Sequence, residues 1–94
     1  MTLNGKEYTL KTRPDGTISL RTALLGKRIF AEYNFENLES AIGDDAKEKK
    51  LKEGFIKFCL AILNEPIEEG LDVFDLPNKE IQGLFINFTT ALSA

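Results

Sequence analysis

Five carboxylates, Glu65, Glu68, Glu69, Asp72 and Asp75, form the densest set of groups in the chain that could act as acids, bases or metal ligands. Two chemistries use such a set: a calcium loop, with oxygen ligands at alternating positions, and a carboxylate pair facing across a sugar cleft. The order E-P-I-E-E-G-L-D-V-F-D lacks the alternation of an EF-hand, and nothing else supplies a cleft, so the stretch reads as a solvated acidic surface. The chain has no histidine, which removes the commonest general base, the usual catalytic triads and most zinc sites. Its single cysteine, Cys59, has no partner for an internal disulfide and lies between Phe58 and Leu60, where a thiol behaves as a small hydrophobe. Gly5, Gly16, Gly26 and Gly43 stand singly, with no phosphate-cradling run, and the lysines of Lys47 to Lys52 are interleaved with Glu48 as on a wet helix face. No catalytic residue, metal ligand or cofactor site emerges, so the expectation is a protein that is not an enzyme and acts by binding.

The elements that would present a binding surface are organised around Asp44 to Asn64, the longest stretch compatible with one uninterrupted helix. Asp44 or Asp45 caps its start, and Asn64 ahead of Glu65-Pro66 marks its stop. Leu51, Phe55, Phe58, Cys59 and Ile62 recur on one face, with Glu48/Lys52 and Glu53/Lys57 four apart on the wetter side. Beyond Lys57 the run FCLAIL is apolar on every side and calls for cover from other elements or from a partner.

Ahead of this rod, Asn4-Gly5 is the pair that best tolerates a type I′ turn, so Thr2-Leu3 and Lys6 to Thr12 are expected as a hairpin with Leu3, Tyr8 and Leu10 inward. Pro14-Asp15-Gly16 turns the chain, and Thr17 to Leu20 continue the alternation as a candidate third strand. Two periods compete over Leu20 to Asn34. The helical one puts Leu20, Ala23, Leu24, Lys27 and Ala31 on one side, while the extended one alternates Ile29, Ala31, Tyr33 and Phe35. A helix to about residue 32 is the expectation, although Gly26 in its middle costs about 1 kcal/mol against Ala. Phe35 to Ile42 reads as a short helical turn with Phe35, Leu38 and Ile42 inward, closed by Gly43. After the rod comes a connector, Pro66 to Leu76, with Ile67, Leu71, Val73 and Phe74 as apolar pegs. The last helix begins at Leu76, with Pro77 in its first turn, Asp75 as capping acceptor and Ile81, Leu84, Phe85, Phe88 and Leu92 as its stripe. The expected fold class is α+β, mostly α: a hairpin region over 1–18 packed on a small bundle of three to four helices over 20–94, in one domain.

Charge is unevenly spread. Residues 1–30 carry six Lys/Arg against two Asp/Glu, a net of +4, whereas residues 31–94 carry six against thirteen, a net of −7. A sequence pI of about 4.9 with dispersed cations argues against a nucleic-acid face. No apolar run approaches the ~18 residues needed to span a bilayer, and MTLNGKEY lacks a secretory apolar stretch, which makes the cytoplasm the expected compartment. A basic beginning and an acidic remainder suit self-association, and spare pegs, Phe74 and Ile86 foremost, are the candidate partner contacts; Ile86 lies about 100° or more off the last helix's stripe.

The opening TLNGKEYTLK, leading a small, acidic, histidine-free and mostly helical chain, resembles the tail assembly chaperones of long-tailed bacteriophages. The match covers the hairpin and the general plan; the Pro14-Asp15-Gly16 turn departs from the pattern in which a helix soon follows. The resemblance implies a non-enzymatic protein in the host cytoplasm that coats the hydrophobic tape-measure protein and helps the tail tube polymerise around it. The alternative is a small protein-protein interaction or regulatory module for another partner.

Overall fold

In the computed structural model, which describes residues 1–93, Asn4 and Gly5 both take positive φ, 51° and 79°. They close the tight turn between β1 (Thr2–Leu3) and β2 (Lys6–Glu7), paired antiparallel with Thr2 opposite Glu7 and Leu3 opposite Lys6. Three α-helices follow, α1 (Leu20–Glu32), α2 (Asp45–Ile62) and α3 (Asn78–Ser93), with 3₁₀ turns at Phe35–Ala41 and Val73–Asp75. The fold is α+β, mostly α, as expected. Among the described residues no helix is long and apolar enough to cross a membrane.

The hairpin is shorter than the sequence suggests. Met1 exchanges two bonds with Tyr8, its carbonyl accepting from the Tyr8 amide at 2.7 Å and its amino group donating to the Tyr8 carbonyl at 2.8 Å. Residues beyond Tyr8 pair instead with the exit of α2. Leu10 forms an antiparallel bridge with Leu63, the Lys11 amide donates to the Ile62 carbonyl at 2.7 Å, and the Asn64 amide donates to the Thr9 carbonyl at 2.9 Å. Leu3 and Tyr8 are fully buried as expected, and Leu10 is half-buried.

No third strand forms over Thr17 to Leu20. The Asp15 carboxylate accepts from both the amide (3.0 Å) and the hydroxyl (2.6 Å) of Thr17, and the Ser19 hydroxyl accepts from the Thr22 amide at 3.2 Å as the cap of α1. These local bonds take the segment away from any ladder. Helix α1 forms where expected, but with another side inward: Gly26, Ile29 and the capping Tyr33 are buried and Phe30 is partly so, whereas Leu20, Leu24, Lys27 and Ala31 face solvent. The cause is close approach at Gly26. A Cβ there would overlap the Phe88 ring and stand 3.0 Å from Ile62 Cγ2, so the glycine that weakens the helix locally also lets it cross α2 and α3.

Helix α2 starts with the Asp44 carboxylate accepting from the Lys47 amide at 3.1 Å, while Glu48 reaches back to the Gly43 amide at 3.2 Å. Its expected inner face, Leu51, Phe55, Phe58, Cys59 and Ile62, is buried throughout. The run FCLAIL is not covered on all sides, because Leu60 is exposed. Lys52 and Lys57 leave their expected helix neighbours, Lys52 pairing with Asp72 at 3.2 Å and Lys57 donating to the Tyr33 hydroxyl at 2.9 Å. In the turn after α1, Phe35 is buried and Leu38 half-buried, but Ile42 faces solvent and Ala41 is buried in its place. Asn37 (φ −134°, ψ 60°) breaks the helical period that put Ile42 inward. Helix α3 starts at Asn78, with the Pro77 carbonyl, rather than the Asp75 carboxylate, accepting from the Glu80 and Ile81 amides. Its stripe packs inward: Ile81, Leu84 and Phe88 are buried, and Phe85 and Leu92 partly buried.

Tyr8 presents the one buried side-chain polar atom without a hydrogen-bond partner among the described residues, its hydroxyl. Leaving such a group dry costs about 1–3 kcal/mol. Tyr8→Phe is therefore expected to raise stability in urea by about 1 kcal/mol; a loss of that size would reveal a partner for the hydroxyl.

Candidate functional site

The acidic stretch does not converge. Glu65 accepts from the Thr9 amide at 2.8 Å and the Thr9 hydroxyl at 2.9 Å, Asp72 caps the Phe74 amide at 2.9 Å and pairs with Lys52, and Glu68 and Glu69 stand exposed. Each engaged carboxylate serves as a fastener between segments. No group of three or more potential metal ligands occurs among the described residues. Cys59 is buried, and desolvation pushes its thiol up to about 12, far from a reactive thiolate.

The Thr9 bonds hold the Glu65 carboxyl below its ordinary value. A carboxyl with a folded pKa below its unfolded one contributes stability that is complete above the unfolded value, about 4.3, and is lost as pH falls through the folded value. The parent protein should accordingly lose more melting temperature between about pH 6 and pH 3 than Glu65→Gln does. Parallel pH profiles for the two proteins would show that the clamp contributes nothing.

What distinguishes the surface is apolar. Ile86, one of the two candidate contacts, is 63% exposed on the outer side of α3. Phe74, the other, is half-buried and lines a shallow hollow of about 270 Å³ together with Leu38, Glu39, Ile42 and Leu76. Ile42 is 64% exposed at its edge. The hollow does not contain Ile86, so the two candidate residues belong to separate places on the surface.

A third place is masked in the sequence by the helical period that assigns α1's inward face. Leu20, Leu24 and Leu25 stand out from α1, Leu20 at 74% and Leu24 at 54% exposure, and line one surface dent with Arg21 and Arg28. At 100° per residue Leu20, Leu24 and Arg28 advance only 40° at each step and form one line, with Arg21 and Leu25 beside it. Helix α1 thus carries two apolar stripes, one of which packs. The signal is present as Leu-x-x-x-Leu with flanking arginines, opposite the Gly26, Ile29, Phe30 and Tyr33 set.

Among the described residues the ion pairs are those of the Met1 amino group with Glu7 and of Lys52 with Asp72. Arg21 and Arg28 on the ridge and Glu39 on the hollow's wall therefore close no ion pair among the described residues, and neither does Asp75, which lies between the hollow residues Phe74 and Leu76 in the chain and acts on Lys52 only from a distance. Comparison with protein-family models, with curated proteins and with solved structures finds no match.

Proposed function

We propose that the protein is a non-enzymatic assembly chaperone of the phage-tail kind, which holds a hydrophobic, tape-measure-like client through its exposed apolar side chains while the tail tube forms. The observation that carries this reading is the contiguous leucine face of α1, Leu20, Leu24 and Leu25, left uncovered on a chain whose core is complete without it. Ile86 and the Phe74 hollow add separate apolar footholds, as suits a client gripped at several points. The hairpin-led, mostly helical plan agrees with what the resemblance of TLNGKEYTLK implies. Catalysis, nucleic acid and membrane have no part in this reading, and its place of action is the host cytoplasm.

Co-expression with a candidate tape-measure protein tests it. The client is expected to move from the insoluble to the soluble fraction and to co-purify with the chain, and Leu24→Asp, at a solvent-facing position, is expected to undo both effects. Unchanged client solubility with the parent chain would overturn the chaperone reading and leave an interaction module for another partner as the alternative.

A further inference from the structure

Two surfaces of this chain are complementary to each other and stand apart on the same molecule. The first is the α1 ridge, where Leu20, Leu24 and Leu25 are bordered by Arg21 and Arg28. The second is the apolar hollow lined by Leu38, Ile42, Phe74 and Leu76, with Glu39 on its wall and exposed Asp75 next to Phe74 in the chain. One offers apolar side chains with flanking cations, the other an apolar recess with flanking anions. Neither pair of charges is engaged in an ion pair among the described residues.

Each surface sits by a different end of α3. The close crossing at Gly26, in the middle of α1, lies on Phe88 towards the C-terminal end of α3, while the hollow takes in Asn78 and Ile81 at its start. At 1.5 Å per residue, Asn78 and Phe88 are about 15 Å apart along the helix. The molecule is elongated, 43 × 26 × 20 Å. The ridge points away from the core that α1 shares with α3, so the two surfaces do not meet within one chain.

We propose that the leucine–arginine ridge of one copy docks into the Ile42–Phe74 hollow of a second copy, with Arg21 and Arg28 facing Glu39 and Asp75 across the contact. The occupant is a second copy because the chain itself carries both halves of the match in apolar character and in charge. The contact joins unlike patches and leaves one ridge and one hollow free at the ends, so it propagates as a ring or a filament and does not stop at a two-fold dimer. Opposite charges at the rim set the register and suppress docking of ridge on ridge or hollow on hollow. The contact uses the ridge and the hollow that the client reading also assigns to a client, so a second copy and a client compete for them; its test needs only the purified chain, so either reading can fail without the other.

Charge reversal with complementation tests it. Purified parent protein at low ionic strength should show a sedimentation-average mass that rises with concentration. Arg21→Glu/Arg28→Glu makes the ridge acidic, and Glu39→Lys/Asp75→Lys makes the hollow basic; all four positions are exposed, so both variants should keep the parent's circular dichroism, with the second melting slightly lower because Asp75 acts on Lys52 in the Lys52–Asp72 pair. Each variant alone should weaken association by about tenfold or more, since like charges then face each other. An equimolar mixture should associate again. In it the acidic ridge of the first variant meets the basic hollow of the second, and the basic ridge of the second meets the acidic hollow of the first. A parent protein that stays monomeric at millimolar concentration would overturn the proposal. So would association that neither variant weakens, or a mixture that fails to recover it. Flotation of the parent protein with vesicles containing anionic lipid, without self-association, would assign the ridge to a membrane surface and equally overturn it.

Discussion

Phe58→Asp is expected to leave the chain largely unfolded at 25 °C. Phe58 is fully buried, and its ring lies 5.2 Å from Phe88, 5.6 Å from Phe35, 5.8 Å from Phe85 and 6.2 Å from Phe30. Those neighbours come from α1, from the turn after it and from α3, so this one ring of α2 touches both other helices and the turn between α1 and α2. Removing a buried aromatic side chain costs about 3–5 kcal/mol. An unpaired carboxylate in its place must also be desolvated or protonated, at a further cost of several kcal/mol. Together these match or exceed much of the ~5–15 kcal/mol that holds a small domain together. Circular dichroism should show lost helix and no cooperative melt. Leu60→Asp, two residues along the same helix, is the contrast: Leu60 is 53% exposed, and that variant should melt close to the parent. A parent-like melt for Phe58→Asp would show that the ring cluster is not what joins the helices.

Gly54→Ala should destabilise the protein, although alanine is the better helix former by about 1 kcal/mol. A Cβ on Gly54 would overlap the Tyr33 ring and stand 2.8 Å from its Cδ2 atom. Although Tyr33 borders a hollow of about 220 Å³, moving the ring would disturb two contacts. Its hydroxyl accepts from Lys57 at 2.9 Å, and the ring stacks on Phe35 with centroids 6.1 Å apart. Overpacking of this kind costs about 1–3 kcal/mol, enough to reverse the sign set by helix propensity. Gly83, inside α3, isolates the opposite effect: a methyl group added there would meet nothing within 4 Å, and Gly83→Ala should raise stability by about 0.5–1 kcal/mol. Urea midpoints of the two variants should move in opposite directions. Truncating the ring in a Tyr33→Ala background should remove most of the penalty at Gly54; a penalty that persists there would place its cause outside this contact.

Where hydropathy and period agree, the sequence is enough. The inward faces of α2 and α3 can be read residue by residue because Leu51, Phe55, Phe58 and Ile62, and Ile81, Leu84 and Phe88, are large, apolar and regularly spaced. Helix α1 cannot be read that way, because the residue at its closest crossing is Gly26, which has no side chain to register as apolar. Leu20 and Leu24, whose side chains dominate the apolar period, face solvent instead. The absent third strand and the outward Ile42 share another cause. Asp15, Ser19 and Asn37 impose local backbone geometry that a two-residue or four-residue period does not encode. Phe74 and Ile86 are visible in the sequence as pegs without a place in a stripe. The α1 ridge is obscured by the same glycine that hides which way that helix faces.

The bridge between Leu10 and Leu63 also bears on the order in which the molecule assembles. The bonds from Thr9 to Asn64 and Glu65 are separated by 55 and 56 residues along the chain, so forming them closes a long loop, whereas helices α1 and α2 are joined by a short connection. Loop-closure entropy favours the nearer contacts first, with the amino-terminal segment fastening onto a helical pair that already exists. A change that weakens only this fastening, such as Glu65→Gln, should then speed unfolding and leave the folding rate nearly untouched in a denaturant chevron. Folding slowed in proportion to the lost stability would instead place the segment in the nucleus. On the expected order, residues 9–11 are the last segment of the molecule to close and the first to open, and their amides should exchange with solvent through a partial opening that leaves the packed rings of Phe58 and its neighbours in place.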